Sequence, residues 1–138
     1  MMLAGADAPT RPAVPPAASR FAAVDVYIDP HGRPLAAYQF ELVAANADVT
    51  LVGVEGGDHA AFASPPFYDT HANVQKRIVI AAFNAGRDLP SGRTRVARLM
   101  VRVTGDAAPA YTATLRTAAS TDAATLSASI NVQEGATP

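Results

Sequence analysis

An all-β sandwich of antiparallel strands is the fold class this sequence predicts, on three observations. Apolar residues recur at alternate positions over most of the chain from residue 21 onward, the period of a strand with one buried face. Gly, Pro, Asn and Asp cluster between those runs, where chain reversal needs a fixed or a positive φ. No stretch carries the 3.6-residue apolar stripe of an amphipathic helix. Seven or more strands separated by turns close best as two packed sheets. With 138 residues, 49% of them hydrophobic, the chain can bury one core and is short for two domains.

Each element can be justified in turn. At the start, Ala4, Ala6 and Ala8 place small residues at alternate positions, as a secretory cleavage region does, but no basic start or full apolar stretch precedes them. Pro9, Pro12, Pro15 and Pro16 then favour an extended arm, so residues 1–20 are expected to be an arm, 21–133 the sandwich and 134–138 a tail. The first strand points Val24, Val26 and Ile28 inward and Asp25, Tyr27 and Asp29 outward, and Asp29-Pro30-His31-Gly32 turns the chain. A second points Ala36, Tyr38, Phe40 and Leu42 inward and Gln39 and Glu41 outward, ending at Asn46-Ala47-Asp48. A third, 49–55, opposes Thr50, Val52 and Val54 to Val49, Leu51 and Gly53; being apolar on both sides, it is expected to be covered on both. Gly56-Gly57 breaks it.

Residues 58–76 contain Pro65-Pro66 and little regular period, which reads as a long loop with at most a short extended piece. Strands follow at 77–83 and, after a polar connection at 84–92, around residue 99. There Arg95, Ala97, Leu99, Val101 and Val103 share one face and Val96, Arg98, Met100 and Arg102 the other. Strands at 111–117 and 124–132 complete the set, the last with Ala124, Leu126, Ala128, Ile130 and Val132 inward.

Eleven basic against twelve acidic residues leave a formal charge of −1, so no general field draws the chain to nucleic acid or to an anionic membrane. No apolar run approaches the eighteen or so residues that span a bilayer. Without Cys there is no disulfide framework, thiolate zinc site or Cys nucleophile. The sequence holds no G-x-S-x-G elbow, Walker loop or HExxH segment, the local geometries that hydrolases, phosphate binders and zincins require. Asp25 and Asp29 share a strand face, but four residues at a ~3.3 Å rise put them ~13 Å apart, too far for a glycosidase pair. These readings point to a non-catalytic module without a cofactor.

Three constellations remain. Asp58, His59, Asp69 and His71 offer carboxylates and imidazoles that a hairpin-like loop would gather around a divalent metal; the bland reading is solvated turn polarity, and no metal is expected. Phe62, Phe67 and Tyr68 beside Pro65-Pro66 either anchor a partner or sugar or fold back to close the sandwich, and Tyr68, with its polar tip, is the best exposed candidate. Arg98 and Arg102 flank Met100 on one strand face, a stripe suited to a partner's carboxylates or else a solvated face. On this reading, reversing Arg98 and Arg102 to Glu weakens partner binding without unfolding the domain.

The runs Val24-Asp25-Val26-Tyr27-Ile28, Ala37-Tyr38-Gln39-Phe40-Glu41-Leu42 and Val49-Thr50-Leu51-Val52-Gly53-Val54-Glu55-Gly56-Gly57 resemble the opening strands of cohesin domains. Arg77-Ile78-Val79-Ile80-Ala81-Ala82-Phe83, the Pro90-Ser91-Gly92 turn and Ala97-Arg98-Leu99-Met100-Val101-Arg102-Val103 are similar to that family's later strands in order and spacing. The resemblance covers roughly residues 21–132. It implies a nine-stranded jelly-roll sandwich related to carbohydrate-binding modules, and a receptor for a dockerin-like protein in an extracellular or cell-surface assembly. Two departures stand out: Val43-Ala44-Ala45-Asn46-Ala47-Asp48 replaces the family's common aromatic-Asp-Pro turn, and the 58–76 loop is unusual. No individual dockerin-contacting residue carries over. The other expectations are a carbohydrate-binding module, set back by the absence of Trp and an aromatic content of 7%, and a self-assembling subunit of a surface layer or filament, whose partner is another copy of the chain.

Overall fold

The computed structural model describes residues 18–74 and 76–135. Its strands are β1 (Ser19–Asp29), β2 (Ala37–Ala45), β3 (Asp48–Glu55), β4 (Phe67–Tyr68), β5 (Arg77–Phe83), β6 (Thr94–Thr104), β7 (Ala110–Ala119) and β8 (Ser129–Glu134). They form two sheets of four, ordered β3-β6-β1-β8 and β4-β5-β2-β7, with every pairing antiparallel. Every connection except β4 to β5 therefore crosses from one sheet to the other. Even the two-residue link between β2 and β3 crosses, with Asn46 at φ 72° making the reversal.

The alternation predicted for β1 and β2 holds. Val24, Val26, Ile28, Tyr38, Phe40 and Leu42 are all buried, and they meet Ile80, Leu99, Val101 and Val103 from the neighbouring strands. Tyr38 stacks on Phe40 at 5.8 Å and donates from its hydroxyl to the Val96 carbonyl at 3.4 Å. Burial raises the Tyr38 pKa far above the ordinary phenol value, so the ring stays neutral in its apolar site.

Several expectations are corrected. Eight strands stand among the described residues, against the nine that the resemblance implies. β3 is not covered on both sides, because the second sheet packs against only one of its faces. Its pairing with β6 shifts between Leu51 and Gly53, a bulge that leaves Val52 49% exposed. Arg95 does not share the inner face with Ala97. The β1–β6 register jumps from Val26↔Ala97 to Tyr27↔Arg95, so Val96 is the extra residue and is buried in place of Arg95. The 58–76 stretch holds a 3-10 turn (Ala60–Phe62), β4 and a short helix α1 (Thr70–Val74). The last strand begins only at Ser129; before it Leu126 donates to the Ala118 carbonyl at 2.8 Å and buries its side chain as its parity requires.

The chain enters the sandwich at Ser19, inside the stretch expected to be an arm, and at its other end Gly135 still donates to the Ala23 carbonyl at 2.7 Å. The arm to residue 17 and the tail at 136–138 lie outside the described residues. No described helix is long and apolar enough to cross a membrane.

Candidate interaction face

The loop between β3 and β4 is built so that one aromatic goes in and the next stays out. Gly57 donates to the Phe62 carbonyl at 2.7 Å, and Asp58 to the Arg95 carbonyl at 3.0 Å. A methyl group on Gly57 would lie 2.0 Å from the Arg95 carbonyl oxygen and one on Gly56 2.1 Å from that of Ala63, so only glycine permits this approach. Phe62 is thereby buried edge-on against Tyr38, with ring centroids 5.4 Å apart. Asn84 ties the turn down from β5, its side-chain amide donating to the Ala61 carbonyl at 2.9 Å. Pro65 and Pro66 then carry the chain out to β4, whose two residues pair with β5 as Phe67↔Ala81 and Tyr68↔Ile80.

Register places the outward residues of this sheet in rows. Phe67 and Ala81 stand beside Gln39 and Thr117; Phe83 stands beside Ala37; Val79 stands beside Glu41 and Thr114; Arg77 stands beside Val43 and Thr112. Phe67 is 71% and Phe83 80% exposed, and Val43 is also exposed. Between the two rings runs an open groove of about 250 Å³ bordered by Phe62, Pro65, Pro66 and Ala82. At the middle of the face Glu41 accepts from Arg116 Nη2 at 3.1 Å and from Arg77 Nη1. The hydrogen bond from Arg116, then that from Arg77, holds the Glu41 carboxyl below its ordinary range. The face is thus apolar at the Phe67 and Phe83 end and a fixed ion cluster at its centre.

The residues singled out from sequence do not converge. Phe67 lies on this face and Tyr68 at its edge, half exposed, while Phe62 folds back. Arg98, Met100 and Arg102 lie on the outer face of the other sheet, on the far side of the sandwich. There Arg98 is not free. It grips Asp25, its cross-strand partner, through Nε at 2.7 Å and Nη2 at 3.2 Å. Asp25, on the outward face as expected, is only 8% exposed beneath that fork.

The metal candidates are dispersed into separate local contacts. Asp58 pairs with Arg95 at 3.1 Å, and His59 Nδ1 accepts from the Ala61 backbone at 3.0 Å. Asp69 accepts from the His71 backbone at 2.9 Å. Among the described residues no group of three or more His, Cys, Asp or Glu is placed to hold a metal ion. A larger cavity, about 350 Å³, lies at the end of the sandwich among Leu42, Ala47, Val49, Ile78 and Tyr111, with the Lys76–Asp48 ion pair at its rim. Among the described residues the Tyr111 hydroxyl is buried without a hydrogen-bond partner, and burial pushes its pKa up to about 12.

Phe83, Val43 and the Glu41 cluster were not singled out from sequence. The signal for Phe83 was present, since it shares parity with Ala81 and opposes Ile78 and Ile80. No protein-family model, no curated protein and no solved structure matches the chain.

Proposed function

We propose that this chain is a non-catalytic protein-interaction module of cohesin-like, jelly-roll architecture, which binds a protein partner through the outer face of the β4-β5-β2-β7 sheet. The observation that carries the reading is the pair of exposed phenyl rings on one sheet face, Phe67 carried there by a loop that is itself tied down and Phe83 by the end of β5. Exposed aromatics on a rigid platform supply large contact area at low entropic cost and are the usual anchors of protein interfaces. The resemblance and the passage of nearly every connection between the sheets support the jelly-roll assignment. The same resemblance suggests a dockerin-like partner in an extracellular or cell-surface assembly.

The test is a comparison of the intact chain with Phe67→Ser/Phe83→Ser, both immobilised and exposed to the producing organism's secreted and cell-surface extract. Neither ring belongs to the core, so the variant is expected to keep its melting temperature, as surface substitutions do to within about 0.5 kcal/mol. A protein retained by the wild type and lost from the variant supports the reading, and its release by a calcium chelator identifies the partner as dockerin-like. Equal retention by both removes this face from the proposal. Polysaccharide retained in place of protein, and lost with the rings, replaces it by the carbohydrate-binding alternative.

A further inference from the structure

The outer face of the other sheet has a charge layout of its own. Across β3, β6 and β1, register sets out three successive rows: Thr50, Arg102 and Phe21; Gly53, Met100 and Ala23; Glu55, Arg98 and Asp25. In the first row Arg102 is exposed and has no ion pair or hydrogen bond among the described residues. In the third row Arg98 is committed to Asp25, which leaves the Glu55 charge over. One end of the face is therefore positive and the other negative, with the two rows four residues and ~13 Å apart along β6. The middle row is shallow and apolar, since Gly53 and Ala23 flank Met100, and a methyl on Gly53 would touch the Met100 Cβ at 3.6 Å. Around it Phe21 is 62% exposed, and Val52 is pushed out by the β3 bulge.

We infer that this face pairs with the same face of a second copy of the chain, about a two-fold axis running along the Gly53–Met100–Ala23 row. A two-fold axis in that position reverses the strands of the second copy. Its negative row then lies over the positive row of the first, and each Arg102 comes within reach of Glu55 of the other copy. Both ion pairs are equivalent, as an isologous contact demands. A partner of uniform charge would meet repulsion at one end of the face, whereas a second copy matches both ends. Met100 packs against its counterpart at the centre, and Phe21 and Val52 are covered.

Three strands ~4.8 Å apart and eight residues at a ~3.3 Å rise give a footprint of roughly 380 Å² per copy. That is at the small end for specific association, so the dimer is weak and is further loosened by salt, because its ion pairs lie near solvent. The contact lies opposite the Phe67 and Phe83 face, and leaves that face open to its own partner.

Sedimentation equilibrium of the full chain tests the inference at concentrations up to about 500 μM, the range a small and transient interface demands. The wild type is expected to dimerise reversibly, less at high salt. Arg102→Glu and Glu55→Arg should each weaken association at least about tenfold, and the double swap should restore it, since the cycle isolates the pair. Phe21→Ser, which changes no charge, should weaken it too, and melting curves confirm that each variant is folded. A monomer at every concentration, a dimer indifferent to the single swaps, or a double swap no better than either single overturns the inference.

Discussion

Replacing Gly57 by Ala tests whether the loop that presents Phe67 is anchored as described. The added methyl would sit 2.0 Å from the Arg95 carbonyl oxygen, 2.8 Å from the Val96 Cα and 2.9 Å from the Arg95 carbonyl carbon. All three are backbone atoms of β6, where Arg95 pairs with Tyr27 of β1, so no side-chain rotation relieves the clash. Moving from 2.0 Å to the 3.4 Å of ordinary contact parts the two segments by about 1.4 Å. The hydrogen bond from Asp58 N–H to Arg95 O at 3.0 Å spans the two segments and does not survive that separation. One such bond contributes about 0.5–1.5 kcal/mol, and forcing extra volume into a packed site costs about 1–3 kcal/mol more.

The expected loss is about 3 kcal/mol, roughly 11 °C in melting temperature for a domain of this size. Gly92→Ala is the control. Nothing lies within 4 Å of a methyl at that position, and its φ is outside the left-handed region, so the change should stabilise by about 0.4–1 kcal/mol through the unfolded chain. Thermal and urea unfolding followed by circular dichroism reads both. Gly57→Ala within about 1 kcal/mol of wild type would show that the close approach to β6 does not exist, and with it the anchor of the loop.

Two further outcomes follow from the ion pairs. Arg98→Glu should destabilise by about 1–3 kcal/mol, because it strips a buried Asp25 of its charge-assisted bonds, whereas Arg102→Glu should stay within about 0.5 kcal/mol of wild type; equal melting temperatures for the two would refute a structural role for the Asp25 pair. Reversing both arginines together is therefore expected to perturb the fold as well as the surface, contrary to the expectation from sequence. The Glu41 carboxyl is held below its ordinary value of 4.5 by Arg116 and Arg77, so folding favours its charged form. That stabilisation is complete above about pH 4.5 and is lost as pH falls through the lower folded value. Urea midpoints of wild type and Glu41→Gln should accordingly differ near neutrality and converge in acid; a gap that stays constant with pH would refute the arrangement.

Most of the fold was legible because a strand's period of two is a strong signal wherever one face is buried. Val24, Val26 and Ile28, or Tyr38, Phe40 and Leu42, could face only one way. The misreadings occurred where a single extra residue breaks the period. Val96 turns inward and Arg95 outward because β6 carries one residue more than β1 at that point, and nothing local in Arg95-Val96-Ala97 announces it. Val52 was hidden in the same way, since an apolar run reads alike in a central strand and in an edge strand with a bulge. Of the candidate interaction face, Phe67 was legible as a Pro-flanked aromatic in a loop. The Glu41, Arg77 and Arg116 cluster was not, because its members are 36 and 75 residues apart in sequence and meet only through the pairing of β2 with β5 and β7.

The inward and outward positions of β5 differ in what holds them. Ile78 and Ile80 fill space against β2 and the facing sheet, so their identity is fixed by packing density. Phe83 fills none of it. At 80% exposure the ring gains little from folding, and together with Phe67 it creates an apolar surface that favours unwanted association. The same strand could end on Thr or Lys with no loss to the core, and such residues would protect the short edge at β4. A large ring in that position acts against solubility and contributes little to stability, and the proposed binding role would give it a rationale outside the folded monomer. A partner covering both rings would supply it: truncating each of two central aromatic anchors typically costs about 2 kcal/mol or more, some thirtyfold in affinity. On the proposed reading, Phe67 and Phe83 are for that reason the positions on this face where substitution should alter binding and leave folding unchanged.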